Sequence, residues 1–331
     1  MRLIDNAIDA FRFKDTVFYK NDSDLQDKYN ALNKLNEEFP NNEELLQELY
    51  IVKKGLEGEN EIAYQLKKSN IGMYVLRDIK VTYEDLSAQI DYVVLTPLCT
   101  YFIECKNLVG DITVNEKGDF IRKLYINGKT IKKGMYSPLR QVEAQREVIR
   151  KIWESRASTF NKILFSKNFN KYRKVLVVAA NKDTILDTKK APNDMKYKIL
   201  RADLLVRQIE YDFEHRDKDE PLMSKKVLEE AAKSYIEVSY KEKIDYYDFY
   251  KRKYCNNIKN DNNDLKERLI ELRKNRSKEM NIPAYYVFTN DELDKLVELK
   301  PKSIDELKSL NILTPIKIKT HGEKIIEEII K

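Results

Sequence analysis

Hydrophobic positions along the chain change period several times, and each change marks an element. The runs 92–95 and 101–103 are almost unbrokenly apolar, as in strands covered on both faces. Between them stand Thr96, Pro97 and Leu98, a single breaker that predicts a hairpin. If the strands pair antiparallel about a centre between Pro97 and Leu98, residue numbers summing to about 195 face each other. Asp91 then lies opposite Glu104, with Lys106 on the face of Glu104. Further strands are predicted over 72–79, 87–95 and 99–106, and a hairpin joins 110–114 to 120–125 around Lys117, Gly118 and Asp119. Residues 173–180 read as a buried strand, and 198–200 as a last strand followed by a covering helix over 202–209.

Helical spacing accounts for most of the remainder. Residues 1–54 read as helices with polar loops, one beginning after Pro40 with Glu43 and Glu44 in its first turn. Another is predicted to start at Gly55 and Gly58 and to carry Ile62 and Leu66 on one side. Ser137 and Pro138 cap a helix whose Val142, Ile149 and Ile152 share a side, with Gln141 and Gln145 together on a face. Residues 221–254 read as helical, Lys-rich and Tyr-rich, with packing the simplest use of the tyrosines. Residues 256–263 read as a polar linker. After it come short helices: one with Leu265, Leu269 and Leu272, and two with capping boxes at Thr289/Glu292 and Ser303/Glu306. The pattern divides the chain into a helical segment over 1–54, an α/β domain over 55–213, a connector and linker over 214–263, and a helical bundle over 264–331.

Composition narrows the class. With 331 residues, 42% apolar content and 10% aromatics, the chain is long and apolar enough for packed cores. No run approaches the roughly eighteen apolar residues of a membrane span, and Asp5 falls where a signal peptide needs its apolar segment, so a cytoplasmic protein without a membrane role is expected. Three cysteines, Cys99, Cys105 and Cys255, with no Cys-x-x-Cys spacing, support neither a disulfide framework nor a zinc knuckle. The net charge is +6, unevenly spread. Residues 1–54 hold eight basic and eleven acidic residues and 264–331 hold fourteen and thirteen, which leaves +8 on the middle segment. A basic surplus around an acidic cluster suits a phosphodiester-binding enzyme, although a Lys-rich composition alone also produces it.

The chemistry concentrates at the first hairpin. Two carboxylates within about 4 Å repel by roughly 4 kcal/mol at an effective dielectric near 20, so a positive group is expected between Asp91 and Glu104. Lys106 offsets part of the repulsion, and a divalent ion with oxygen ligands offsets more, which makes Asp91, Glu104 and Lys106 a candidate hydrolytic site. A solvated strand edge with an Asp to Lys pair is the plainer alternative. Gly128-Lys129-Thr130 lacks the first glycine of a phosphate-binding loop, Lys123 standing in that position, and follows a hairpin, so no ATP site is expected.

Gln89-Ile90-Asp91 with Ile103-Glu104-Cys105-Lys106-Asn107 resembles the PD-(D/E)XK nuclease signature, in its NERD (nuclease-related domain) branch. Gly58-Glu59 matches that family's Gly-Glu, and Pro138-Leu139-Arg140-Gln141 its Pro-x-x-Gln. The resemblance covers about 55–213. It implies a restriction-endonuclease-like mixed sheet flanked by helices, a metal-dependent nuclease, and Mg²⁺ or Mn²⁺ held by Asp91, Glu104 and the Cys105 carbonyl. Lys106 would position or deprotonate the attacking water, with Glu59 as a third acid near the metal and Gln141 orienting water or phosphate. By the residues alone, the plainer readings are a solvated first-turn acid favoured by the helix dipole for Glu59, and exposed glutamines on an amphipathic helix for Gln141 and Gln145.

From Arg268 onward, Asn281-Ile282-Pro283-Ala284-Tyr285-Tyr286, then Leu307 with Leu310 and Gly322, resemble the HRDC domain of RecQ helicases and RNase D. That family implies auxiliary nucleic-acid binding or docking. Asn311-Ile312-Leu313-Thr314 stands where Gly-x-Gly is usual, and Leu313 cannot cheaply take a left-handed conformation, so a loop of altered shape is expected. Together the resemblances imply nucleic acid, DNA before RNA, as substrate, in repair or defence. A catalytically silent binding or docking protein working with a helicase partner is the alternative.

Overall fold

The computed structural model describes residues 9–10, 12–126, 128–157, 168–241, 243–254 and 259–331. In chain order its principal elements are β1 (Thr16–Lys20), α1 (Asp24–Glu38), α2 (Glu43–Leu66), β2 (Met73–Tyr83), β3 (Leu86–Leu95), β4 (Thr100–Lys106), β5 (Asp111–Val114), β6 (Phe120–Ile126) and β7 (Lys129–Met135). Then follow α3 (Pro138–Arg156), β8 (Arg173–Ala179), β9 (Leu186–Asp187), β10 (Ile199–Arg201), α4 (Leu205–Glu214), α5 (Lys225–Val238) and α6 (Tyr246–Tyr254). The last four are α7 (Lys259–Glu279), α8 (Asn290–Leu299), α9 (Ile304–Ser309) and α10 (Pro315–Ile330). The chain divides into two compact units, one of Met1–Asp24, Lys53–Val81 and Ala88–Ser239, the other of Leu25–Val52, Thr82–Ser87 and Tyr240–Lys331.

The first unit is mixed α/β. Its six-stranded sheet runs β1-β2-β3-β4-β8-β10, with β4 antiparallel to β3 and parallel to β8. Apolar side chains of alternate strand residues, among them Val75, Tyr92, Val94, Tyr101, Ile103 and Leu176, form a core with Ile62 and Leu66 of α2 and Leu205 and Ile209 of α4. The opposite face carries Phe102, whose ring meets Tyr235 of α5 edge-on at 6.2 Å, and Tyr235 in turn meets Trp153 of α3 at 5.5 Å. Burial on both faces explains the unbroken apolar runs of β3 and β4. A second sheet, β7-β6-β5-β9, leaves the end of β4 and returns to the start of α3.

The second unit has two apolar clusters. Leu32, Leu35, Leu45 and Val52 close on Tyr246 and Tyr250, so tyrosines of the aromatic stretch are core. Leu265, Leu269, Phe288, Leu296, Leu307 and Ile325 form the centre of the all-helical C-terminal region. There Lys317 and Glu292 make a buried ion pair at 2.8 Å. The Thr289 capping box is present in full, and Ser303 caps α9. Among the described residues no helix is long and apolar enough to cross a membrane.

Several expectations are corrected. The N-terminal segment is not all helical: Thr16–Lys20, rich in β-branched and aromatic residues, is a strand parallel to β2. No helix starts at Gly55. Asn42 caps Leu45 N–H at 3.0 Å and α2 then continues unbroken through both glycines, because the burial of Leu45, Val52, Leu56 and Ile62 along it outweighs their propensity cost. The stretch 221–254 breaks into two helices, with Ser239 bridging to Val81. Asn256, Asn257 and Ile258 lie outside the described residues, but the expected linker is helical from Lys259. Strands β7 and β9 were not anticipated, the first because lysines and a glycine mask its period. Asn311 does take the left-handed conformation, at φ 52°, and Leu313 does not.

Candidate active site at the end of the central hairpin

The site begins with the turn. Thr96 N–H and hydroxyl both donate to the Cys99 carbonyl, at 3.0 and 2.8 Å, and the strands pair as Leu95↔Thr100, Val94↔Tyr101, Val93↔Phe102 and Tyr92↔Ile103. Each pair sums to 195, the register expected from the proline-marked turn. The ladder stops one step before Asp91 and Glu104. In place of a further backbone pair, Asp91 Oδ2 accepts a hydrogen bond from Cys105 N–H at 2.7 Å. N–H and C=O of one residue in an extended strand point to the same side, so the Cys105 carbonyl is also directed toward Asp91.

Glu104 is 3% exposed, and both of its carboxylate oxygens are engaged. Oε1 accepts from Lys106 Nζ at 2.5 Å, and Oε2 accepts from Gln145 Nε2 at 3.3 Å. Lys106 Nζ also donates to Gln141 Oε1 at 3.3 Å. Gln141 and Gln145 lie one turn apart on α3, which starts at Ser137: its hydroxyl accepts from Arg140 N–H, and Pro138 fills the first turn. One helix face thereby holds both the acid and the lysine of Glu-x-Lys.

Glu59 approaches from α2. Its Oε2 accepts from Arg77 Nη2 at 2.9 Å, and its backbone carbonyl accepts from the Tyr92 hydroxyl at 2.7 Å. Burial pushes the Glu59 carboxyl up, and Arg77 pulls it back down. Asp91 is driven well above the usual carboxylate range, first by burial, then by the charge of Glu104, and further by Glu59. The Cys105 thiol is likewise pushed up by burial and the surrounding acids. Gly58 permits this crowding: a Cβ there would come within 2.5 Å of Asn107 Cβ and 3.2 Å of Cys105 Sγ. Asn107 Nδ2 in turn donates to the Lys54 carbonyl, tying α2 to the end of β4.

The structure thus brings together Asp91, Glu104, Lys106 and Gln141, with Glu59 close enough to act on Asp91 and committed to Arg77. Two participants carried no recognised signal. Gln145 was visible only as the residue one turn from Gln141, and Arg77 lies in an apolar strand run without a motif. Gln89, two residues before Asp91, donates to Asp78 Oδ1 at 2.7 Å, and Asp78 Oδ2 accepts from Asp24 N–H at 2.7 Å, bracing the strand that presents Asp91.

Among the described residues, no group of three or more His, Cys, Asp or Glu side chains is arranged to hold a metal ion. The available donors are the carboxylates of Asp91 and Glu104 and the Cys105 carbonyl, all hard oxygens, with mutual repulsion recorded in the raised Asp91. That set fits Mg²⁺ or Mn²⁺, which takes one or two carboxylates and keeps several waters, rather than an ion needing a protein cage.

A mixed sheet whose central strands end in Asp and Glu-x-Lys, held by glutamines from a flanking helix, defines an α/β unit of nuclease type. The family comparisons are more particular. Residues 54–178 match the nuclease-related domain, NERD, and residues 262–329 match the HRDC domain. The chain therefore carries a nuclease-related domain followed by an HRDC domain, two modules associated with nucleic acid. A solved structure described as "D. radiodurans RecQ HRDC domain 3" is similar at 38% identity, over 20% of this chain and 90% of that chain, with a TM-score of 0.20. No curated protein matches the chain.

Proposed function

We propose that the chain is a divalent-metal-dependent nuclease that hydrolyses phosphodiester bonds in DNA. The observation that carries this reading is the splayed end of the β3–β4 ladder, where Asp91, Glu104 and Lys106 converge on one face. Asp91, Glu104 and the Cys105 carbonyl would hold the ion. When bound, Mg²⁺ or Mn²⁺ supplies Lewis-acid polarisation of the scissile phosphate and a water of lowered pKa.

The protein side chains do the positioning. An ammonium has three donors; Lys106 uses two on Glu104 and Gln141, leaving one for the attacking water or a phosphoryl oxygen. Held against the buried Glu104 carboxylate, Lys106 would orient water and stabilise charge developing on phosphorus. Gln145 fixes Glu104, and Gln141 fixes Lys106. Glu59, held by Arg77, adds to the field at Asp91. DNA as substrate, and a helicase as partner, rest on the HRDC module.

The test is cleavage of labelled single- and double-stranded DNA with Mg²⁺ or Mn²⁺. Asp91→Asn and Lys106→Ala are each expected to lower the rate by at least about 100-fold. Absence of metal-dependent cleavage by the wild type, or equal cleavage by the variants, overturns the reading. Binding without cleavage would assign the chain to docking.

A further inference from the structure

We infer that the β6–β7 hairpin is a DNA-contacting ribbon that grips the phosphate backbone of a B-form duplex beside the cleavage site. The inference extends the nuclease reading to its substrate and rests on it only for the purpose of the contact. Residues 120–136 contain five basic residues, Arg122, Lys123, Lys129, Lys132 and Lys133, and no acid. Among the described residues none of the five has an ion-pair partner; Arg122 uses its Nε on the Val109 carbonyl.

Their arrangement is costly without an anion at Arg122 and Lys133, and the cost is only partly offset at Lys123, which has Asp111 of β5 opposite it. The register sets Arg122 opposite Lys133 and Lys123 opposite Lys132, and like charges directly opposed across a ladder destabilise it. The pairs lie on opposite faces of the ribbon, since adjacent positions alternate. Lysines on an edge strand also guard against edge-to-edge association. That purpose needs a charge or two on β7 and does not account for Arg122, on the inner strand, which faces Lys133 and spends only its Nε on the Val109 carbonyl.

The shape fits a groove. β5 covers β6 only from Phe120 to Lys123, so the two cation pairs stand at the base, where the sheet is three-stranded, and the ribbon beyond, from Leu124↔Ile131 to Ile126↔Lys129, is two-stranded. β7 is exposed along nearly its whole length. The major groove of B-DNA admits a two-stranded tip, which carries Lys129, and the cation pairs at its base, one on each face, reach phosphates on the flanking walls. The deep, narrow major groove of A-form RNA does not admit it. Tyr136 is fully exposed where β7 ends, next to the Ser137 cap of the helix bearing Gln141. The second sheet leaves the site after Lys106 and returns at Ser137, and Asn181 and Thr184 side chains pin the Leu108 carbonyl at its root. A duplex held on the ribbon is therefore presented to the site by a short, anchored connection.

The test is fluorescence anisotropy of a labelled DNA duplex in EDTA, which prevents cleavage, across a salt series. Replacing Lys123, Lys132 and Lys133 with Gln is expected to weaken binding at least about tenfold near 0.1 M salt and to reduce the salt slope by about 2 to 3. Removing the same number of charges at exposed Lys67, Lys68 and Lys226 is expected to change neither, and circular dichroism with a melting curve establishes that each variant is folded. An RNA duplex should bind the wild type more weakly than DNA. Unchanged affinity and slope in the ribbon variant, an equal loss in the control variant, or no binding by the wild type overturns the assignment. Metal-dependent cleavage alongside unchanged binding by the ribbon variant would sink the ribbon and leave the nuclease; ribbon-dependent binding with no cleavage would do the reverse.

Discussion

Asp91 is held where an ionised carboxylate is unwelcome, between burial and the charges of Glu104 and Glu59. Its folded-state pKa lies above the unfolded value, so its contribution opposes folding once the pH exceeds the ordinary aspartate range. Asp91→Asn is expected to raise the melting temperature in EDTA while abolishing any upward shift produced by Mg²⁺ or Mn²⁺, because the relief of repulsion and the loss of a ligand coincide. A lower melting temperature in EDTA would refute this account. Gly58 makes the complementary point. In most helices Gly→Ala stabilises by roughly 1 kcal/mol, but here a Cβ meets Asn107 Cβ at 2.5 Å. Gly58→Ala is therefore expected to destabilise by about 1–3 kcal/mol and to slow cleavage, as measured by denaturant unfolding and the nuclease assay. Of these residue-scale facts, the placing of Asp91 opposite Glu104, with Lys106 on the face of Glu104, followed from the hairpin register, whereas Gln141 was joined to them only through the family resemblance of Pro138-Leu139-Arg140-Gln141. Arg77 was not legible in sequence, since an arginine in a strand becomes meaningful only when the helix bearing Glu59 is seen to lie against it.

At the scale of elements, the β3–β4 register was readable because a side-chain period of two leaves little freedom once a proline fixes the turn and both faces are buried. The continuity of α2 was not, because two glycines ordinarily mark a helix boundary, here read as a start, and only tertiary burial overrides it. β7 was hidden for the opposite reason: a strand exposed on nearly every residue has no apolar period to read. In α8, Glu298 is 8% exposed, and burial pushes its carboxyl up to about 7 despite Lys253 and Arg252 nearby. Between the unfolded value near 4.5 and about 7 the folded state binds the extra proton, so this residue weakens folding as pH rises through that window. Glu298→Gln should leave stability unchanged at pH 4.5 and raise it by about 1–2 kcal/mol at pH 8. An equal effect at both pH values would show that the charge is not responsible.

The molecule as a whole separates its charges by purpose. Its net +6 is modest for 331 residues, yet Glu59 and Glu104 of the site are buried and Asp91 half-buried, while cations without an ion-pair partner among the described residues gather on the ribbon. On the proposed nuclease and ribbon readings, salt is expected to weaken DNA capture far more than the chemical step, as measured by binding and single-turnover cleavage across a salt series. Two thiols also bracket β4: Cys99 lies just before its start, with its thiol pushed up to about 11, and Cys105 lies one residue from its end. Both are poor nucleophiles while the strand is in place. With Cys255 replaced by Ser, the labelling rate of each remaining cysteine becomes a clock for its end of the strand. Asp91 caps only the Cys105 end, so Asp91→Ala should accelerate labelling at Cys105 and leave Cys99 on its original time course.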